Sequence, residues 1–174
     1  SGSVSFDRSV YPVPFTSADL RTGSANESLQ TEAGAVTAWI TVSDSDETND
    51  TLTTASTTAA GTVLIKHTNS TGSVTIATAG SIASYDASAG ANAAELGPLS
   101  EVVIGSSDFE VSLSISETMG YASGTVTIQA GDVIQVEYVD TADDAGSTST
   151  FYDSSTFDLR TGTLSVDKDV YVLG

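Results

Sequence analysis

The chain predicts an all-β fold in which two antiparallel sheets pack face to face, on three observations. Apolar residues recur with period two through most of the 174 residues, turn-forming residues separate the alternating stretches, and only Tyr85–Leu96 is even remotely helical in composition. Period two sends alternate side chains to opposite sides of a strand, so each strand offers one face to a core and one to water.

The elements follow in chain order. Val4, Phe6, Arg8 and Val10 point one way, and Ser5, Asp7 and Ser9 the other. Pro12 and Pro14 lack backbone donors, which predicts that the first strand ends, or bends to change sheets, near Tyr11. Val36, Ala38, Ile40 and Val42 alternate with Thr37, Trp39 and Thr41; Trp39, opposite the Val36/Ile40 face, is expected to pack in a core or an interface. Shorter strands are expected at Thr62–His67 and Ser73–Ala77, joined by a hairpin at Asn69-Ser70-Thr71-Gly72. Tyr85–Leu96 is rich in Ala, but Gly90, Gly97 and Pro98 punctuate it, so a long surface loop with one helical turn is expected. Phe109, Val111, Leu113 and Ile115, alternating with Glu110, Ser112 and Ser114, make the cleanest half-buried strand. A short strand at Gly124–Ile128 precedes a tight turn at Ala130-Gly131-Asp132. Ile134, Val136 and Tyr138 then alternate with Gln135 and Glu137, and Leu164, Val166, Val170 and Val172 close the series. About eight or nine short strands with turns between them predict an immunoglobulin-like antiparallel sandwich. One module spans 1–174, a length sufficient for a single core.

Charge narrows the function. Twenty-three acidic residues stand against five basic ones, a formal net charge of −18. Phosphate binding needs clustered Lys and Arg, so nucleic acid is excluded as a partner, and an anionic membrane surface is repelled in the same way. Such a surface attracts cations and keeps like copies apart. With no cysteine, neither disulfides nor thiol chemistry is available. No apolar run approaches the roughly 20 residues that cross a bilayer, so this segment is not expected to insert directly. No signal peptide is visible, which suits a processed or excised domain. Sequons at Asn26, Asn49 and Asn69 make these candidate glycosylation sites and favour an exterior location.

The two ends repeat one another. The stretch 4–14 shares with 164–174 the pairs Ser5/Ser165, Asp7/Asp167, Arg8/Lys168 and Val10-Tyr11/Val170-Tyr171, and Asp19–Gly23 recurs as Asp158–Gly162. A strand found at both ends of one module predicts a junction to a next module or subunit. The closing copy has Val172 and Gly174 where the first has Pro12 and Pro14, so it is free to continue as a strand.

These end motifs carry a resemblance. Ser5–Pro14, SFDRSVYPVP, is similar to a strand motif of the large surface-layer proteins of ammonia-oxidising archaea, and Ser155–Gly174 resembles the junction between their consecutive domains. Ala130–Asp140, AGDVIQVEYVD, resembles a common surface-repeat pattern in which a Gly-Asp turn leads to a strand ending in Tyr-x-Asp; Leu99, Glu101 and Phe109 partly match the segment that usually precedes it, with Ser100 and Val102 departing from it. The resemblance covers about the first 15 and the last 45 residues. It implies an immunoglobulin-like domain in a paracrystalline extracellular coat, present in many copies, with metal-stabilised contacts and an acidic lattice through which ammonium ions pass.

Two acidic clusters are candidate structural Ca2+ sites. The first is Asp44, Asp46, Glu47 and Asp50, directly after the strand ending at Val42-Ser43; the second is Asp140, Asp143, Asp144 and Asp153, placed in the loop beyond the strand 132–139. Calcium takes about 6–8 oxygen ligands, which acids spaced along a loop supply. Strand ends gather at two poles, so the clusters could share one. A solvated acidic turn is the plainer alternative for each. Asp19 and Asp158 are further candidates, or plain Asx turns. His67 is the single histidine, which argues against zinc. No G-x-S-x-G elbow accompanies it, and the acids are scattered rather than paired for glycoside hydrolysis, so an enzyme is not expected. Trp39 and Tyr121 are candidate sugar-stacking rings.

Expected function follows as a structural, self-assembling cell-surface module whose partners are copies of itself, divalent cations and attracted ammonium ions. The alternatives are a filament subunit assembled by donor-strand complementation and an adhesin-type binding module.

Overall fold

Alternation becomes two layers of strands in a computed structural model, which describes residues 2–14, 34–46, 51–52, 62–80, 92–140 and 145–159. One sheet contains β1 (Gly2–Phe6), β3 (Val36–Asp44), β9 (Asp108–Ile115), β8 (Leu99–Glu101) and β4 (Thr51–Leu52), side by side in that order. The second runs β2 (Val10–Pro12), β13 (Ser149–Asp158), β12 (Val133–Asp140), β5 (Thr62–Asn69), β6 (Gly72–Ala79) and β7 (Ala94–Glu95). A separate hairpin joins β10 (Thr118–Tyr121) to β11 (Gly124–Thr127). Within β1-β3-β9-β8 and within β13-β12-β5-β6 every neighbouring pair is antiparallel.

The inward residues are the ones period two selects. Ile40, Ile65, Phe109, Leu113, Ile115, Tyr138 and Phe157 are buried between the sheets, with Val36, Ala38 and Val42 beside them. The hairpin at Asn69–Gly72 forms as expected, with Asn69 Oδ1 accepting the Thr71 N–H at 2.8 Å and Gly72 taking φ 146°. So does the turn before β12, where the Asp132 N–H reaches the Gln129 carbonyl at 3.1 Å and Gly131 sits at φ 90°.

Four expectations are corrected. Thirteen strand segments occur among the described residues instead of eight or nine, because several are only two to four residues long, too short to leave a period in the sequence. The sheets are mixed, since β2 runs parallel to β13 and β7 parallel to β6; β7 also turns the end of the expected Ala-rich loop into strand. Of the two places expected for Trp39, a core or an interface, the core is ruled out, since the side chain is 44% exposed. The first strand does change sheets near Tyr11, as expected, but across Asp7–Ser9, and Pro12 lies inside β2 instead of ending the strand. Pro12 is tolerated there because alternate residues bond β13: the Thr156 N–H donates to Ser9 O at 3.1 Å and the Val13 N–H to Asp158 O at 2.9 Å, leaving the proline nitrogen on the open edge. The crossover also inverts the faces, so Val4 and Phe6 point inward, Val10 is 50% exposed and Tyr11 is fully buried. The closing strand expected at 164–172 lies outside the described residues, as do 19–23 and 160–162.

Asp7 fastens that crossover. Its N–H donates to Trp39 O at 3.0 Å, its Oδ1 accepts the Trp39 N–H at 3.0 Å, and the same oxygen accepts the Tyr11 hydroxyl. The Tyr11 ring meets Phe6 edge-on at 6.0 Å and tilts against Phe157 at 6.2 Å. From the other sheet, Asp153 Oδ2 accepts the Phe6 N–H at 2.7 Å. Burial, then the hydrogen bond to Asp7, raise the Tyr11 phenol above its ordinary value of 10.0. The folded state therefore favours the protonated phenol. Its contribution to stability is complete below that ordinary value and is lost as pH rises above it. Urea midpoints measured across the alkaline range should fall with pH, and Tyr11→Phe should fall less steeply while costing about 1 kcal/mol at neutral pH.

Candidate metal centre

Period two aims two carboxylates at one another from opposite sheets. In β3 the inward series Val36, Ala38, Ile40, Val42 ends on Asp44; in β12 the inward series Ile134, Val136, Tyr138 ends on Asp140. Both strands finish at the same pole, beside Gly2, which pairs with Asp44 at the start of β1. Asp44 is 2% exposed and Asp140 5%. Asp46 is exposed, and its N–H donates to Asp44 Oδ1 at 3.1 Å in an Asx turn that brings the chain back over the strand end. One carboxylate oxygen from each of Asp44, Asp46 and Asp140 lies within 4.8 Å of the other two.

The pole is tied across the sandwich by Tyr138, whose hydroxyl donates to Asp44 Oδ2 at 2.5 Å. The Asp44 N–H donates to Ser107 O at 2.9 Å, and the Ser43 hydroxyl donates to Asp108 Oδ1, so the turn before β9 is drawn to the same place. Oδ2 of Asp140 is buried with no hydrogen-bond donor against it, although the residue as a whole has other contacts. Three carboxylates this close repel, most strongly where water is excluded. Calcium holds oxygens at about 2.3–2.6 Å, so two ligands of one ion stand at most roughly 5 Å apart, and the three acids fit that limit. Backbone carbonyls and water supply the remaining ligands at sites of this type.

The structure thus brings together Asp44 and Asp46 of the first expected cluster with Asp140 of the second. Glu47 and Asp50, and likewise Asp143 and Asp144, lie outside the described residues, in the stretches that follow directly on Asp46 and Asp140. Asp153 is not in a loop and not at this centre: it sits within β13, opposite Val136, and holds the Phe6 N–H. The Ser/Thr-rich stretch 149–158 hid that strand, since hydroxyl side chains suit strands and turns alike. Asp158 takes the plain role, its Oδ1 accepting the Leu159 N–H at 2.8 Å; Asp19 lies outside the described residues. Of the sequons, Asn69 is in the β5–β6 hairpin with its side-chain oxygen held by Thr71, while Asn26 and Asn49 fall outside.

His67 is 1% exposed, and its Nε2 lies 2.6 Å from Asp132 Oδ2, which also accepts the Gln129 N–H at 2.9 Å. This pair staples β5 to the turn that opens β12. Sequence reasoning missed Tyr138 as the partner of Asp44; the signal was its place in the same inward series as Asp140. Compared with known proteins, the chain matches no family model and no curated protein.

Tyr138→Phe removes the donor that crosses the pole and leaves the buried Asp44 oxygen unsatisfied. The expected loss is about 1–3 kcal/mol, read from urea unfolding, with the far-ultraviolet β-sheet signal retained.

Proposed function

We propose that this chain is a structural, non-catalytic module of an extracellular coat of the archaeal surface-layer type, assembled from copies of itself and stabilised by calcium bound at the Asp44–Asp46–Asp140 pole. The convergence of carboxylates from two sheets on one strand-end pole is the observation that carries it. An ion there neutralises part of the −18 charge and joins the sheets at the end where β1 begins. The end-motif resemblance described above supplies the extracellular coat, and with it an acidic lattice that draws in ammonium.

The test is thermal unfolding and electron microscopy of one preparation in calcium and in chelator. Calcium at a hundredfold excess over its dissociation constant stabilises by about 2.7 kcal/mol, and ordered sheets are expected in calcium alone. Asp44→Asn and Asp140→Asn should each abolish the calcium-dependent rise in Tm. Sheets that persist in chelator would remove the cation from the reading.

One observation favours a filament joined by strand donation as the second reading. Asp7 and Tyr11, whose bond fastens the crossover, are the residues echoed four apart at Asp167 and Tyr171. A closing segment with that pair has what it needs to make the same crossover in a neighbouring sandwich. In this case micrographs show fibres, and truncation after Gly162 leaves monomers that still unfold cooperatively; fibres from the truncated chain would refute it.

A further inference from the structure

A groove lies on the outer face of the second sheet, away from the acidic pole. Leu64 and Lys66 of β5 and Thr75 of β6 line one side, and the turn Tyr121–Ser123 of the small hairpin lines the other, around about 440 Å³. Small-molecule sites occupy roughly 300–1,000 Å³. Beside it, Lys66 Nζ stands 2.9 Å from Glu137 Oε2, with the two side chains 31% and 16% exposed. Tyr152 pairs directly with Glu137 across β13 and β12, which puts both on this outer face, and it is 57% exposed. The row therefore runs from Tyr152 through the Glu137–Lys66 pair to Tyr121. The part of it that lies on the second sheet, from β13 to β6, covers roughly 14 Å at the usual strand spacing.

We propose that this row is a carbohydrate subsite that takes a short neutral oligosaccharide. A pyranose ring has an apolar C–H face, which packs on an aromatic ring, and a rim of hydroxyls that both donate and accept. The tyrosines at the two ends supply the rings, and Tyr suits such a place because its body is apolar and its tip wet. The ion pair supplies both hydrogen-bonding directions side by side. Lys66 has three donors, of which Glu137 takes one, and Glu137 keeps acceptor capacity. The hydroxyls of Ser73, Thr75 and Ser123 widen the polar lining. Charge selects within the class of ligand. An acidic sugar or a nucleic acid meets the field of −18, and a metal ion meets the Lys66 ammonium, whereas a neutral sugar meets neither penalty.

The groove shares no residue with the Asp44–Asp46–Asp140 pole, so its test is run on the full chain in chelator. Isotope-labelled protein is titrated with maltotriose, chitotriose and mannotriose, and the amide spectra are followed. At least one probe should give saturable shifts confined to the neighbourhood of Leu64–Lys66, Thr75, Tyr121–Ser123 and Tyr152. Tyr121→Ala should weaken that binding about tenfold, and Lys66→Met should weaken it similarly. Because Tyr121 bounds a turn, Tyr152→Ala, exposed on a long strand, provides a second readout that leaves the fold alone. The proposal is overturned if no probe gives saturable shifts at millimolar concentration, if the shifts map elsewhere, or if Tyr121→Ala and Tyr152→Ala both bind as the parent does.

Discussion

A sandwich without a disulfide must still keep two sheets in register, and here buried or half-buried carboxylates perform that task. Asp44 of one sheet takes the Tyr138 hydroxyl of the other, and Asp153 of the second sheet takes the Phe6 N–H of the first. Asp7 holds both Trp39 and Tyr11 at the crossover, and within the second sheet Asp132 holds His67 of the neighbouring strand. A hydrogen bond to a carboxylate is stronger than its neutral counterpart, and those of Asp44 and Asp153 cross from one sheet to the other, where ladder hydrogen bonds do not reach. The acid count is therefore two populations. Among the described residues Asp46, Glu95 and Asp158 are exposed to water, while Asp44, Asp132 and Asp153 act as internal acceptors and are placed by the phase of their strands.

Strand phase explains why those few sit at strand ends or crossovers. A carboxylate in the middle of an inward series would lie deep among apolar side chains, where the desolvation cost is several kcal/mol unless donors surround it. At the end of the series it has turn N–H groups, a hydroxyl from the facing sheet, or water. Asp44 and Asp140 close their inward series in this way, and Asp132 stands just before its strand opens. Asp153 is the exception. It faces the core side within β13, but β1 ends nearby and offers the Phe6 N–H directly.

Much of the architecture was legible from period two alone, and the reasons for the exceptions are physical. β3, β9 and β12 each alternate over eight or nine residues, long enough for burial on one face to leave a mark. The two-residue strands β4 and β7 are held by neighbours and not by their own pattern. β13 was hidden because its inward residues include Asp153 and Ser155, whose partners are Phe6 N and Arg8 O. Those partners lie 147 residues away in sequence, and no local reading reaches that far. The acidic centre was half legible. Loop composition pointed to Asp44, Asp46 and Asp140, but that they share a pole depends on β3 and β12 ending together, which is a property of topology. Tyr138 was visible all along as a core residue, and its second role needs the facing strand to be seen.

The same topology bears on assembly. β1 begins at the pole that holds Asp44 and Asp140, whereas β13 runs from that pole toward the opposite end, where Asp158 pairs with Pro12. Neighbours stacked end to end would therefore present an acidic pole to the far pole of the next copy. Such a contact is heterologous, and unless its rotation closes into a ring it propagates. Between two chains of this charge, contact is resisted until counter-ions gather, and a divalent ion held at the meeting pole reduces repulsion where it is greatest. Under the proposed reading, calcium is thus both an internal tie and a condition for growth. The two roles separate experimentally by concentration, since binding to one chain saturates without regard to protein concentration and growth between chains does not.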